Sequence, residues 1–219
     1  MSIVIAIDGP AGTGKSTVSR AVATRLGLQY FDTGATYRVA ALHCLREGIN
    51  LQKADDVAAM VSTMNVEMRL DPANPVVILE DDDVSRLLHT DTISLVVSDV
   101  ATNLDARALL GDMQRRIIAE SRTGAGIVAE GRDITSVIAP EAEVRVLLTA
   151  DEDVRVARRA GEGADPVTVR EAVLGRDRKD ATVVEFHKAA DGVVEIDTTH
   201  LTIDEVVSAV VRLAKEASA

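Results

Sequence analysis

The residues with the most chemistry in their spacing are Gly9, Pro10, Ala11, Gly12, Thr13, Gly14, Lys15 and Ser16. A glycine, four free positions and then Gly-Lys-Ser is the spacing of a phosphate-cradling P-loop. Glycines let successive N–H groups converge on one anion, and the positive end of a following helix adds to them. Lys15 would carry a compact charge to the β- and γ-phosphates, and the Ser16 hydroxyl is the candidate Mg²⁺ ligand. With Thr17, these eight residues are the expected nucleoside-triphosphate-binding set. The bland alternative is a glycine-rich turn with a chance Lys-Ser, and the flanks speak against it. Ile3 to Asp8 enters as a β-branched run suited to a buried parallel strand, and Thr17 to Leu26 leaves with helical periodicity.

A P-loop leaves three classes open: a switch GTPase, a mechanical ATPase and a small-molecule kinase. The chain contains no Asp-x-x-Gly, and Asn103-Leu104-Asp105 lacks the lysine of a guanine-reading motif, so the first class is without support. Glu130, at the end of a predicted strand, could serve an ATPase as its Mg²⁺-holding carboxylate. Gly131-Arg132 follows at once, however, and Arg38, Arg132, Arg155, Arg158, Arg159 and Arg176 fall on or near loops where α/β sheets bind ligands. Transfer between two anions needs such charge at the moving group. One arginine there is as easily a surface charge, but their joint placement favours a kinase.

The rest of the chain must position these groups. Its 219 residues suffice for one well-cored domain with an inserted segment. Apolar residues make up 47% and aromatics only 2%, so the core is aliphatic, as suits a parallel sheet covered by helices. Strands are predicted at 28–31, 127–130, 144–149 and 193–197 besides the first, giving five parallel strands. Helices are predicted at 35–47, 54–64, 93–101, 106–121, from 151, about 168–180 and 202–215, with Thr202 and Glu205 at capping-box spacing. The segment from Gly161 to Pro166 is expected to break the helix before it. Val66 to Leu70 and Val76 to Glu80, around Asp71-Pro72-Ala73-Asn74-Pro75, read as an inserted β-hairpin. Asp81-Asp82-Asp83 lacks the spaced ligands of a calcium loop and reads as a solvated turn.

The net charge of -11 is the wrong sign for general nucleic-acid binding. No apolar run approaches the ~20 residues of a membrane span, and the first strand leaves no room for a signal peptide, so a cytoplasmic monomer without nucleic-acid or membrane partners is expected. Nineteen of the 24 basic residues are arginine, which either phosphate recognition or codon bias would produce. The single cysteine, Cys44, reads as a small buried hydrophobe. His43, His89, His187 and His200 have no metal-ligand spacing. Tyr37 reads as packing beside Arg38, with stacking near the acceptor as the alternative.

Three blocks resemble the bacterial cytidylate kinases: Ile5 to Ser16, then Asp32-Thr33-Gly34-Ala35-Thr36-Tyr37-Arg38, then Glu130-Gly131-Arg132-Asp133-Ile134. Further matches run in order to Ile196-Asp197-Thr198-Thr199 and cover essentially the whole chain. The resemblance implies a P-loop NTPase fold of class α/β and an enzyme that phosphorylates CMP and dCMP with ATP and Mg²⁺. The implied division is a core at 1–62, 102–155 and 184–219, a nucleoside-monophosphate-binding insertion at about 63–101, and a lid at about 156–183. Thr33, Arg38 and Arg132 would hold the acceptor phosphate. Ser98, Arg107 and Asp133 would read the cytosine edge, and Arg176 and Asp180 would contact the ribose. Lys15, Arg132, Arg155 and Arg159 would serve catalysis, the last two on the lid.

The chain departs from the pattern at Val183, where the family usually has an arginine, and its lid is short. Arg178, Lys179 or Lys188 could take over that duty. The departures motivate a second reading, a P-loop kinase for UMP or a small metabolite. A third is a catalytically weakened nucleotide-binding regulator.

Overall fold

The computed structural model describes residues 2–160 and 166–218, apart from the side chains of Pro166 and Arg176. The expected helix break at 161–165 lies outside the described residues. The chain opens with β1 (Val4–Asp8), α1 (Lys15–Leu26), β2 (Gln29–Asp32), α2 (Gly34–Arg46) and α3 (Ala54–Thr63). The hairpin follows as β3 (Val66–Arg69) and β4 (Val76–Leu79), with a short third strand, β5 (Asp82–Asp83). Then come α4 (Asp91–Ala101), α5 (Leu104–Arg122), β6 (Ile127–Gly131), β7 (Val144–Thr149), α6 (Glu152–Arg159), α7 (Pro166–Asp180), β8 (Val194–Asp197) and α8 (Ile203–Ala217).

Five strands form one parallel sheet in the order β2-β6-β1-β7-β8. Every residue of β1 is buried because both faces of the sheet are covered. Ile3, Ile5 and Ile7 meet Val18 and Val22 of α1 and Val206, Val207, Val210 and Val211 of α8. Val4 and Ala6, on the opposite face, pack with Phe31, Ile118 of α5, Ile134 and Ile138. A separate cluster joins α2, α3, α4 and the hairpin, where Cys44 is fully buried as expected. The sheet order places β1 between β6 and β7, so the crevice beyond its carboxyl end is bordered by the loops after all three strands.

The hairpin is a three-stranded sheet of its own, in the order β3-β4-β5. Glu80 and Asp81, at φ 49 and 73, make its second turn left-handed. Asp82 and Asp83 therefore pair with β4 as an exposed edge strand, instead of lying wholly in a turn. No group of three or more acidic, histidine or cysteine residues placed to hold a metal occurs among the described residues. The backbone of Leu70 accepts from Tyr30 N–H, and Arg20 of α1 donates to the carbonyls of Pro72 and Ala73, which holds the hairpin against the sheet edge. α7 is already helical at Pro166, two residues before the predicted start, and proline's fixed φ is compatible with a first helical turn. α8 is opened by the expected capping box of Thr202 and Glu205. No described helix is long and apolar enough to cross a membrane.

Candidate active site

The loop between β1 and α1 is tied to itself before any ligand arrives. The Thr13 hydroxyl and the Lys15 ammonium both donate to the Pro10 carbonyl, at 3.0 and 2.9 Å. Gly14 closes it in the left-handed region at φ 91, at the N-terminus of α1. Gly12 admits no side chain, since a Cβ there would lie 2.5 Å from the Arg155 carbonyl. α6 is thus seated directly on the loop. Arg155, Arg158 and Arg159 stand at helical spacing of three and four, which puts them on one side of α6. Beside the loop a cleft of about 510 Å³ is lined by residues 12–18, Arg158, Arg159, Thr198 and apolar residues of the chain's last segment, Leu201, Ile203 and Val206.

The three arginines of α6 divide their tasks. Arg155 is buried, and its Nη1 donates to the Ala11 carbonyl at 3.0 Å and to Asp177 at 2.5 Å. It braces the P-loop and does not line the cleft. Arg159 lines it, and so does Arg158. Arg158 is held by the Thr198 hydroxyl and carbonyl, and the Thr198 hydroxyl in turn meets the Thr13 carbonyl at 3.1 Å.

Below the loop, charged groups share a small volume. The Tyr30 hydroxyl donates to Glu130 at 2.5 Å, and the Ser16 hydroxyl interacts with both. Burial, reinforced by Asp32, raises the Glu130 carboxyl to about 7, with Lys15 pulling the other way. Burial, with Arg132 and then Arg159 adding repulsion, lowers Lys15 to about 8. The loop after β1 and the loop after β6 meet at one carboxylate, since Asp177 accepts from both the Ala11 N–H and Arg132.

The second half of the site is a hollow of about 60 Å³ walled by Thr33, Gly34 and Tyr37, by Val97 and Ala101 of α4, by Arg107, by Gly131, Arg132 and Asp133, and by Asp180 and Val184. Nucleotide-sized pockets run to hundreds of Å³, so this half stands closed. Gly131 is required for that closeness, because a Cβ would come within 2.5 Å of Thr33 Oγ1. Arg132 Nη1 pairs with Asp177 and its Nε with Asp180, both at 2.7 Å, while the guanidinium lies 4.6 Å over the Phe186 ring. Asp177 and Asp180, three residues apart on α7, present the same face. Arg107 pairs directly with Asp133, donates to the Ala101 carbonyl at 3.0 Å, and stands 5.5 Å over the Tyr37 ring. Tyr37 packs in the cluster of α2, α3 and α4, as expected, and also walls the hollow. Ser98 is buried on α4, next in sequence to the wall residue Val97.

Arg38 is buried at the edge of this arrangement. Its Nη1 donates to the Leu88 carbonyl at 2.7 Å and to the Ser94 hydroxyl at 3.1 Å. Burial, and after it the charges of Arg159 and Arg132, lowers its pKa, with Asp32 opposing. Arg178, Lys179 and Lys188 are exposed, and Lys179 pairs with Asp99 at 3.8 Å, so none of them lines the hollow in place of the arginine absent at 183. The Arg176 side chain lies outside the described residues. Arg158 is among the arginines expected near ligand-binding loops but carries no assigned role there, and sequence reasoning gave no role to Asp177, Tyr30 or Phe186. Only Asp177 left a signal, its spacing from Asp180.

A family model described as cytidylate kinase matches residues 5–216 of the chain. The chain is 40% identical over 217 residues to a cytidylate kinase of Streptomyces griseus subsp. griseus, covering 98% of this chain and 93% of that protein. It is 41% identical over 220 residues to one of Nocardia farcinica, covering 98% and 94%. Among solved structures it resembles a gluconokinase from Sinorhizobium meliloti, with TM-score 0.51 and 18% identity over 99% of this chain and 94% of that one. A shikimate kinase from Bacteroides thetaiotaomicron gives 0.50 and 13% over 97% and 98%. At those identities the likeness shows the fold alone.

Proposed function

The chain belongs to the cytidylate kinase family, and on that premise we propose how its residues phosphorylate CMP and dCMP with ATP. The reading is carried by one juxtaposition. The loop after β6 sets a cation, Arg132, within the field of the P-loop lysine, and in the next residue a carboxylate, Asp133, paired with Arg107. Recognition of the acceptor phosphate and of the acceptor base are then one residue apart. The readings with another acceptor, or with a weakened regulatory protein, find no support in the family match.

The P-loop amides, Lys15, Arg158 and Arg159 hold the ATP phosphates, and Thr33, Arg38 and Arg132 hold the phosphate of the acceptor. Asp133 and Arg107 meet the cytosine edge with a paired acceptor and donor. Uracil offers the opposite pattern, which would leave buried partners unpaired, the situation in which discrimination is strong. Asp180, and Arg176 with it, serves the ribose. Residues 63–101 act as the acceptor-binding insertion and 156–183 as the lid, which excludes water that would otherwise take the γ-phosphoryl group. The Ser16 hydroxyl with the carboxylates of Glu130 and Asp32 suits Mg²⁺, which prefers few protein oxygens and the substrate's phosphates. Bound with the nucleotide, it would neutralise charge on the transferring group.

No covalent intermediate is needed, since positioning and charge stabilisation suffice for this chemistry. A coupled assay of ADP release with CMP, dCMP, UMP and AMP tests the assignment. Turnover of CMP and dCMP well above UMP and AMP is expected, and equal rates with UMP would remove the base-reading role of Asp133 and Arg107.

A further inference from the structure

Asp177 has no role in the reading above, yet it touches the P-loop, Arg132 and Arg155 at once. It is 3% exposed and sits in the last turn of α7. Its Oδ1 accepts from the Ala11 N–H at 3.2 Å and from Arg132 Nη1 at 2.7 Å, and its Oδ2 accepts from Arg155 Nη1 at 2.5 Å. Arg155 returns to the same residue of the P-loop by donating to the Ala11 carbonyl at 3.0 Å. Both backbone groups of Ala11 are thus claimed by one closed ring, in which the Ala11 N–H meets Asp177, Asp177 meets Arg155, and Arg155 meets the Ala11 carbonyl. Arg132 is attached to that ring by its own bond to Asp177.

We propose that Asp177 is a positioning residue for phosphoryl transfer, setting the P-loop, Arg155 and Arg132 in register through one buried carboxylate carried on α7. The inference rests on the kinase reading above. The P-loop holds the donor and Arg132 the acceptor, so the distance between reacting phosphates depends on how the loops after β1 and β6 are joined. They belong to adjacent parallel strands, and Asp177 bridges them from outside the sheet. The geometry leaves the arginine usable. Asp177 and Asp180 engage Nη1 and Nε of Arg132, and neither pairing uses Nη2, which stays available to a phosphate oxygen. The Phe186 ring covers the guanidinium face and limits its rotation. Burial raises the Asp177 carboxyl, but Arg132 and then Arg155 and the Ala11 N–H outweigh it and hold the group below the usual carboxylate range. The carboxylate is charged at neutral pH, as the bridge requires.

Asp177→Asn and Asp177→Glu test this, with kcat, both KM values and melting temperature measured on the full chain. Asn keeps the shape and removes the charge, while Glu keeps the charge and moves it by one methylene. A misplacement of about 1 Å costs on the order of 10²-fold in rate. Both variants are expected to lose about that much kcat while KM for ATP changes less than about threefold. Asp177→Glu, which leaves no buried arginine uncompensated, should also melt within a few degrees of the wild type. Adding Arg155→Lys to Asp177→Asn should slow the enzyme little further, because both act through the same ring. Wild-type kcat in Asp177→Glu would overturn the proposal. So would a loss that follows melting and vanishes when the assay is run well below it. Should the wild type use an acceptor other than CMP, the assigned substrate fails by itself. The variant-to-wild-type ratio on that acceptor still decides the role of Asp177.

Discussion

The two halves of the site are built from different materials. At the donor end the contacts are backbone N–H groups on a loop of eight consecutive residues, stiffened by Thr13 and Lys15 against the Pro10 carbonyl. Beside it the cleft of about 510 Å³ stands open. At the acceptor end the contacts are long side chains from α2, α5, α7 and the loop after β6, and the hollow holds only about 60 Å³. Its guanidinium groups are not idle there. Arg132 is matched by two carboxylates and an aromatic face, Arg107 by Asp133, and Arg38 by a carbonyl and a hydroxyl. Of the loop's amides, the Ala11 N–H already meets the Asp177 carboxylate, and neutral N–H groups carry no net charge that must be matched before an anion arrives. Buried cations do carry such a charge, and leaving it unpaired costs several kcal/mol. The acceptor end therefore carries its own carboxylates, and it must open to admit a nucleotide.

Several measurements break or sharpen this contrast. The largest effect is expected at the donor end. Lys15→Ala should cut kcat by roughly 10²–10³ or more, since electrostatic groups at the reacting centre are worth several kcal/mol. Steady-state kinetics with saturating ATP measures it, and a variant that keeps its rate would make the amides alone sufficient.

At the acceptor end, Asp133→Ala should reduce the preference for CMP over UMP by about 10–10²-fold in kcat/KM, with KM for ATP little changed. A parallel rise in KM for ATP would mean that the two halves are not separable.

A smaller effect follows from the burial of Lys15, lowered from its ordinary 10.5 to about 8. Above about pH 8 the empty enzyme loses this charge, so ATP must bring a proton back as it binds. Apparent ATP affinity should then fall, by up to about tenfold per pH unit. For stability the sign is opposite. Between about pH 8 and 10.5 the unfolded chain holds more protons, so this group's contribution to folding becomes more favourable as pH rises through that window. ATP titrations and thermal melts across pH 7–10.5 read both, and an ATP affinity that stays flat would place the lysine charge outside the binding step.

The smallest expected change lies away from both halves. Thr202→Ala removes the capping box of α8 and should cost about 1 kcal/mol of stability, seen in a melt, with kcat and KM unchanged.

Several features were legible from residue order because each is local. The P-loop needs only consecutive residues and two periodic flanks, and the β1 and α1 it implied are present. Alternation and turn residues revealed the hairpin, and Thr202 with Glu205 marked the start of α8. The third hairpin strand was less legible, because Asp82 and Asp83 carry no strand propensity and are paired through the left-handed turn before them. Arg155 and Arg158 could not be told apart by order alone. They differ by which way one helix is rotated against the P-loop, and packing sets that rotation.

By itself, then, the sequence determined the parallel α/β sheet, the phosphate loop, the family, and the set of arginines and carboxylates available for an acceptor. Local periodicity, turn chemistry and motif spacing are written in consecutive residues, and they need no partner far along the chain. Only the tertiary structure decided which charge meets which. Asp177 reaches Ala11 across 166 residues, and Arg132 reaches Asp177 across 45. Such pairings depend on how separate elements pack, and they are settled by burial, where a charge must find its opposite.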